Sequence, residues 1–291
     1  MILCIVVTYK KMEQRDSIRR IVLRQFFGFM LVMLILLSIT IYTAQEYVIF
    51  FPNKDDAATI TLAKSNQYER IQITDTYSGW LKEEKNSDAV IVYFGGNAQN
   101  TSSTFLTFQE NGTFSLLENI SFLSIDYPSY GDSIGSLSQD SLFTMADDVM
   151  SYVTKRFANQ QIVIIGYSIG TGVASYAASR YEPDAFILIT PYNNGKDLFN
   201  SYVPIFYGPL QQLIQYPLTS DVYVSSLSCP SLVLMVKGDS IVSAKLARKL
   251  INAFPVEPES KVYENTDHGS IILDTALWED IVSFLNRQIK S

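Results

Sequence analysis

The chain has 291 residues, 47% of them hydrophobic, with 29 acidic side chains against 22 basic ones, a formal net charge of -7 and a pI near 4.8. That length and apolar content suffice for the buried core of one full domain. The acidic balance excludes a polyanionic partner such as nucleic acid, because binding phosphates requires a basic footprint.

The first 25 residues carry Lys10, Lys11, Arg15, Arg19, Arg20 and Arg24. An uncharged run, Phe26 to Tyr42, follows; extended to residue 45 it approaches the roughly 20 residues that span a bilayer. We read 26–45 as a single transmembrane anchor. Glu46, Asp55 and Asp56 lie downstream, so the positive-inside rule places 1–25 in the cytoplasm and the remainder on the non-cytoplasmic side. A cleaved signal peptide is the competing reading; against it, the apolar run is longer than a signal core and no small-x-small site follows closely.

Residues 46–291 read as one domain. Tyr68–Thr74 and Ser78–Lys82 predict an antiparallel hairpin, after which strand and helix signals alternate. Strands are expected at Val90–Phe94, Ile120–Tyr127, Ile162–Ile165, Ala185–Thr190, Ser231–Val236 and Ser260–Tyr263. Helices are expected near Ser103–Glu110, over Leu142–Val153, after Thr171, over Ser243–Phe254 and from Ile271 on. Such alternation means a mainly parallel central sheet flanked by helices, with ligands at the carboxyl ends of its strands. The stretch of about 193–229, rich in aromatic and aliphatic residues, interrupts the alternation and predicts a small helical cap. Sequons begin at Asn100, Asn111 and Asn119 and are read as chance matches.

Within this frame Gly166-Tyr167-Ser168-Ile169-Gly170 follows an apolar strand and opens a helix of small residues. In isolation the pattern is common; at a strand-to-helix turn it lifts a serine where a base can reach it. The chain contains one histidine, so any Ser–His mechanism uses His268, which lies between the last strand and the last helix. For the acid we select Asp239, just past the strand ending at Val236, with Asp267 as the weaker alternative; its role is to fix the imidazole tautomer. An oxyanion hole needs the N–H of Ile169 and a second donor, for which the N–H of Asn97 in Gly95-Gly96-Asn97-Ala98-Gln99-Asn100 is positioned after an earlier strand. Gly95, Gly96, Tyr167 and Tyr192 are candidates for the substrate-binding wall, whereas Tyr130 and Gly172 are read as packing residues. One histidine and two cysteines, Cys4 and Cys229, cannot build a usual transition-metal site. No phosphate-binding or dinucleotide glycine fingerprint occurs, so neither metal nor cofactor is expected, and the cysteines are not expected to pair.

From Tyr47 to its end the chain resembles the membrane-anchored α/β-hydrolases with a His-Gly-Asn-Ala-Gly-Asn oxyanion motif, a group that includes protein depalmitoylases. The likeness rests on the 95–100 loop, on Asp126-Tyr127-Pro128-Ser129-Tyr130-Gly131-Asp132-Ser133-Ile134-Gly135, on the elbow, and on the Asp239 and His268 segments in family order. Gly95 stands where the family has His, Gln99 where it has Gly, and Pro128-Ser129 where it has Arg-Gly. The resemblance implies an α/β-hydrolase fold and a serine hydrolase acting on a carboxylic ester or thioester, with a small-molecule or lipid acyl ester as substrate. A catalytically silent scaffold that binds a lipid or protein, and a serine peptidase of the same fold, are the alternatives. The oligomeric state is not legible.

Overall fold

The computed structural model describes residues 2–289. Met1, Lys290 and Ser291 lie outside it, as do the side chains of residues 2–13 and Val48, among them Cys4, Lys10 and Lys11. The chain separates into an N-terminal unit up to Gln45 and a compact unit from Glu46 on.

Ile2–Ile49 forms one α-helix, α1. Its stretch Gln14–Tyr47 has the length and composition to cross a membrane, and none of its 18-residue apolar window is buried. The expected span of 26–45 falls inside this helix, which runs past it at both ends. Arg and Gln upstream are good helix formers and the first proline is Pro52, so nothing in the sequence stops the helix earlier.

In the compact unit the strands are β1 (Glu69–Ile73), β2 (Tyr77–Lys82), β3 (Ala89–Phe94), β4 (Ile120–Ile125), β5 (Gln161–Tyr167), β6 (Ala185–Ile189), β7 (Ser231–Val236) and β8 (Glu259–Tyr263). They form one eight-stranded sheet in the order β1-β2-β4-β3-β5-β6-β7-β8. The β1–β2 and β2–β4 pairings are antiparallel and all others parallel. The helices are α2 (Ala57–Ser65), α3 (Thr101–Glu110), α4 (Thr113–Leu116), α5 (Gln139–Arg156), α6 (Gly170–Tyr181), α7 (Gly195–Tyr202), α8 (Ser220–Val224), α9 (Ala244–Ile251) and α10 (Thr275–Gln288), with 3-10 turns at Gly208–Leu213 and Ile271–Leu273.

Because side chains alternate along a strand, β3 sends Val90, Val92 and Phe94 to one face and Ile91 and Tyr93 to the other. The first face is covered by α5, α6 and α9 through residues such as Met145, Val149, Val173 and Leu246. The second is covered by α3, α4 and α10 through Phe105, Phe108, Phe114, Trp278 and Phe284. Both faces being buried, the central strands are continuous apolar runs, as parallel strands require. Most helices begin on a side-chain cap: Asn100 accepts from Ser103 N–H, Asn194 from Asp197 N–H and Asp274 from Ala276 N–H.

The chain winds outward from β3 to β4 on one side and to β5 on the other, so the carboxyl ends of β3 and β5 flank the topological switch point. The expected cap is present between β6 and β7 as α7, the Gly208–Leu213 turn and α8. Of the sequon asparagines, Asn100 is buried as the α3 cap while Asn119 is exposed.

Candidate active site

Ser168 sits at the turn from β5 into α6 with φ of 52°, a left-handed conformation that costs a non-glycine residue on the order of 1–2 kcal/mol. The turn is over-determined. Its N–H donates to the Ile189 carbonyl of β6 (3.0 Å) and its carbonyl accepts from the Thr171 hydroxyl (2.6 Å). A Cβ on Gly166 would lie 2.6 Å from that of Ala174, and one on Gly170 would collide with the Phe94 and Gly95 carbonyl oxygens. Both elbow glycines are therefore required by close approach of neighbouring backbone and helix, as the sequence implies.

His268, on the loop after β8, places Nε2 2.8 Å from Ser168 Oγ. Its Nδ1 lies 2.8 Å from Asp239 Oδ2. The Asp239 side chain is 1% exposed, and its other oxygen accepts from the N–H groups of Ile241 and Val242, each at 2.8 Å. The carboxylate is thus fixed from both sides. Asp267, the sequence neighbour of His268, points elsewhere: its carboxylate caps the loop on the N–H groups of Gly269 and Ser270 at 2.9 Å. The Ser270 backbone hydrogen bond, with further bonds from the same loop, holds its pKa below the usual carboxylate value. The structure therefore brings Ser168, His268 and Asp239 into one hydrogen-bonded line and leaves Asp267 out of it.

The loop after β3 abuts the elbow, since Gly170 backs onto the Phe94–Gly95 backbone and Gly96 onto the Tyr167 ring. Gly96 N–H is taken by Gln99 Oε1 at 2.6 Å. Among the described residues neither Asn97 N–H nor Ile169 N–H meets an acceptor. The same Gln99 oxygen accepts from Tyr93 OH (3.1 Å), and Tyr127 OH donates to the Gly95 carbonyl (2.7 Å). A Cβ at Gly95 would stand only 3.1 Å from Gln99 Oε1. The two departures from the His-Gly-Asn-Ala-Gly-Asn motif are thus one exchange, in which the glutamine amide fills the space beside position 95 and braces the loop.

The remaining wall candidates fall inside rather than on the surface. Tyr167 is 5% exposed, and its hydroxyl donates to the His268 carbonyl (2.6 Å) while its ring lies against the imidazole; burial raises its phenol pKa above the ordinary value. Tyr192 is fully buried, with its hydroxyl on the Ile169 carbonyl at 3.2 Å. Tyr167 seats the His268 loop and Tyr192 the residue after the serine. Bulky aromatic side chains at strand ends signal burial as readily as binding, which is why the sequence does not separate the two. Among the described residues no group of three or more His, Cys, Asp or Glu is arranged to hold a metal.

Residues 89–204 match the family model for the alpha/beta hydrolase fold. The chain has the α/β-hydrolase fold. Among similar α/β-hydrolases is the lysophosphatidylserine lipase ABHD12 of Macaca fascicularis, 28% identical over 183 residues, which cover 57% of this chain and 45% of that protein. Human Protein ABHD12B is 27% identical over 65% of this chain and 55% of its own length. The chain thus spans about half the length of the curated relatives it matches. Of solved structures, the Pyrococcus furiosus esterase Pf2001 superposes with a TM-score of 0.63 at 18% identity over 83% of this chain and 98% of the esterase. The Est2 esterase of Thermogutta terrifontis, with butyrate bound, does so with a TM-score of 0.59 at 14% identity over 76% and 94%. These likenesses are of fold.

Proposed function

We propose that this α/β-hydrolase is a membrane-anchored serine hydrolase that cleaves carboxylic esters or thioesters, with a single-chain lipid ester as the favoured substrate. The observation that carries the reading is the unbroken line from Ser168 Oγ through the His268 ring to Asp239 Oδ2, 2.8 Å at each step. With Nδ1–H donated to Asp239, Nε2 is free to accept the serine proton. Ser168 Oγ then attacks the acyl carbonyl as Nε2 takes its proton. The N–H groups of Ile169 and Asn97 bind the oxyanion. The leaving alcohol or thiol departs with the proton from His268, leaving an acyl-serine. Water, deprotonated by the same Nε2, attacks the acyl-serine and releases the fatty acid and the serine hydroxyl. Lipid preference is supported by the lysophosphatidylserine lipase among the relatives and by the apolar N-terminal helix. Arg15, Arg19, Arg20 and Arg24 ahead of the apolar run support a cytoplasmic N-terminus, with the hydrolase unit on the other side.

The test is labelling of the detergent-extracted full chain with a fluorophosphonate, alongside turnover of p-nitrophenyl esters and single-chain lipids. Wild type should label and turn over, and Ser168→Ala should lose both by at least about 10³-fold. An unlabelled, folded wild-type chain would leave the silent-scaffold alternative standing, and a Ser168→Ala chain that still labels would remove Ser168 as the nucleophile. Release of amine from amide substrates at rates matching the esters would instead favour the peptidase.

A further inference from the structure

We infer that the segment just after the apolar helix, Phe50–Asp55, is a strap that positions the oxyanion loop. Its backbone and the side chains it meets, Asn97 and Tyr130, set where the Asn97 N–H points. This inference rests on the hydrolase reading above. Phe51 N–H donates to Asn97 Oδ1 at 2.9 Å and lies 3.1 Å from the Tyr130 hydroxyl, which itself donates to Asn97 Oδ1 at 3.1 Å. One side-chain oxygen therefore gathers the strap and the segment after β4 onto the residue whose own N–H is unpaired.

Further bonds fix the strap along its length. Asn100 Nδ2 donates to the Lys54 carbonyl at 3.3 Å, and Gly131 N–H to the Asn53 carbonyl at 2.8 Å. Lys54 Nζ reaches the Ser133 carbonyl at 3.3 Å. At one end Phe50 is buried against the Tyr216 ring, at 4.8 Å between centroids. At the other, Asp55 has a fully buried side chain facing Arg70 at 3.4 Å. A disordered linker between anchor and domain would show none of this. The Phe51, Pro52, Asn53 and Lys54 side chains are exposed, and Phe51 meets Asn97 through its backbone N–H.

The physical consequence is specific. An oxyanion donor acts only when it is held where charge develops, and displacement of a positioned group by about 1 Å can cost on the order of 10²-fold in rate. Losing the Asn97 tether should therefore lower the rate of the chemical step without weakening binding of the uncharged ground state. Asn97, Tyr130 and Phe51 are positioning residues here through their side chains or backbone. Only the Asn97 N–H would touch the reacting oxygen.

The experiment uses the full chain in detergent. Asn97→Ala removes the acceptor, Tyr130→Phe removes one donor to it, and Phe51→Pro removes the strap's N–H and is compared with Phe51→Ala, which keeps it. We expect kcat to fall roughly 10- to 100-fold in Asn97→Ala and Phe51→Pro and less in Tyr130→Phe. KM should stay near wild type, fluorophosphonate labelling should slow in parallel, and Tm should shift by only a few degrees. Wild-type kcat in Asn97→Ala and in Tyr130→Phe, while Ser168→Ala is dead, overturns the strap and leaves the hydrolase reading intact. Activity lost only in proportion to unfolded protein, with kcat of the folded fraction unchanged, also overturns it. A wild-type chain that neither labels nor turns over removes the hydrolase reading, and the strap falls with it.

Discussion

The elbow and the cap lie on the same side of the sheet's chemistry and are built on opposite terms. Around Ser168 every degree of freedom is used: the serine is 7% exposed in a left-handed turn, and glycines on both sides touch backbone. The cap displays Tyr202, Val203, Tyr207 and Leu210 to solvent, with Tyr207 62% exposed, and the Tyr202 hydroxyl donates to the carbonyl of Ile241, two residues from Asp239. Tight packing leaves no choice of geometry, which serves a reaction that needs fixed distances. Loose apolar surface tolerates many partners.

The contrast breaks most sharply at the histidine. His268→Gln keeps a polar group of similar reach but supplies no base, so ester turnover should drop by about 10⁴-fold with Tm nearly unchanged, measured by hydrolysis and thermal melts on one preparation. Next come matched glycine substitutions. Gly170→Ala drives a methyl into the carbonyls of Phe94 and Gly95 and should destabilise by about 2–4 kcal/mol in denaturant titrations. Gly208→Ala, in the cap at φ of 53° with open space around its Cβ position, should cost only about 1 kcal/mol from backbone strain.

A third measurement probes the floor of the 95–100 loop. Asp126 is buried, accepts from the Thr101 N–H and hydroxyl at 2.7 Å, and is pushed up to about 7, chiefly by burial and then by nearby Asp55. A raised carboxyl pKa means that the folded chain holds a proton which the unfolded chain releases near pH 4. Its contribution is complete below that pH and is lost as pH rises towards 7. Stability should fall by up to about 4 kcal/mol across that window from this group, and Asp126→Asn should flatten the slope in pH-dependent denaturation. The smallest effects belong to the cap: Tyr207→Ser and Leu210→Ser should change stability by less than about 0.5 kcal/mol. They should raise KM several-fold for long-chain esters while leaving short-chain esters unaffected. Equal changes for both chain lengths would remove the cap from the acyl site.

Much of the arrangement was legible beforehand. Strand and helix periods placed the sheet, and a lone histidine left no choice of base. The chain order Ser168, Asp239, His268 carried the geometry because the loops at one sheet edge are forced together. What was not legible concerns side chains that act at long sequence separation. Tyr130 read as packing, yet its hydroxyl reaches Asn97, 33 positions away. Gln99 read only as a departure from the motif, and in the fold it braces the loop beside Gly95. Tyr192 read as a wall candidate and is wholly interior.

The sequence by itself determined the alternation of strands and helices, the apolar N-terminal helix, and which residue types meet at the strand ends, because period and order along the chain are local properties. Only the tertiary structure decided between Asp239 and Asp267 as partner of His268, and only it tied Phe51 to Asn97. Hydrogen bonds depend on direction within a few tenths of an ångström, and direction across a fold is set by packing, not by position in the chain.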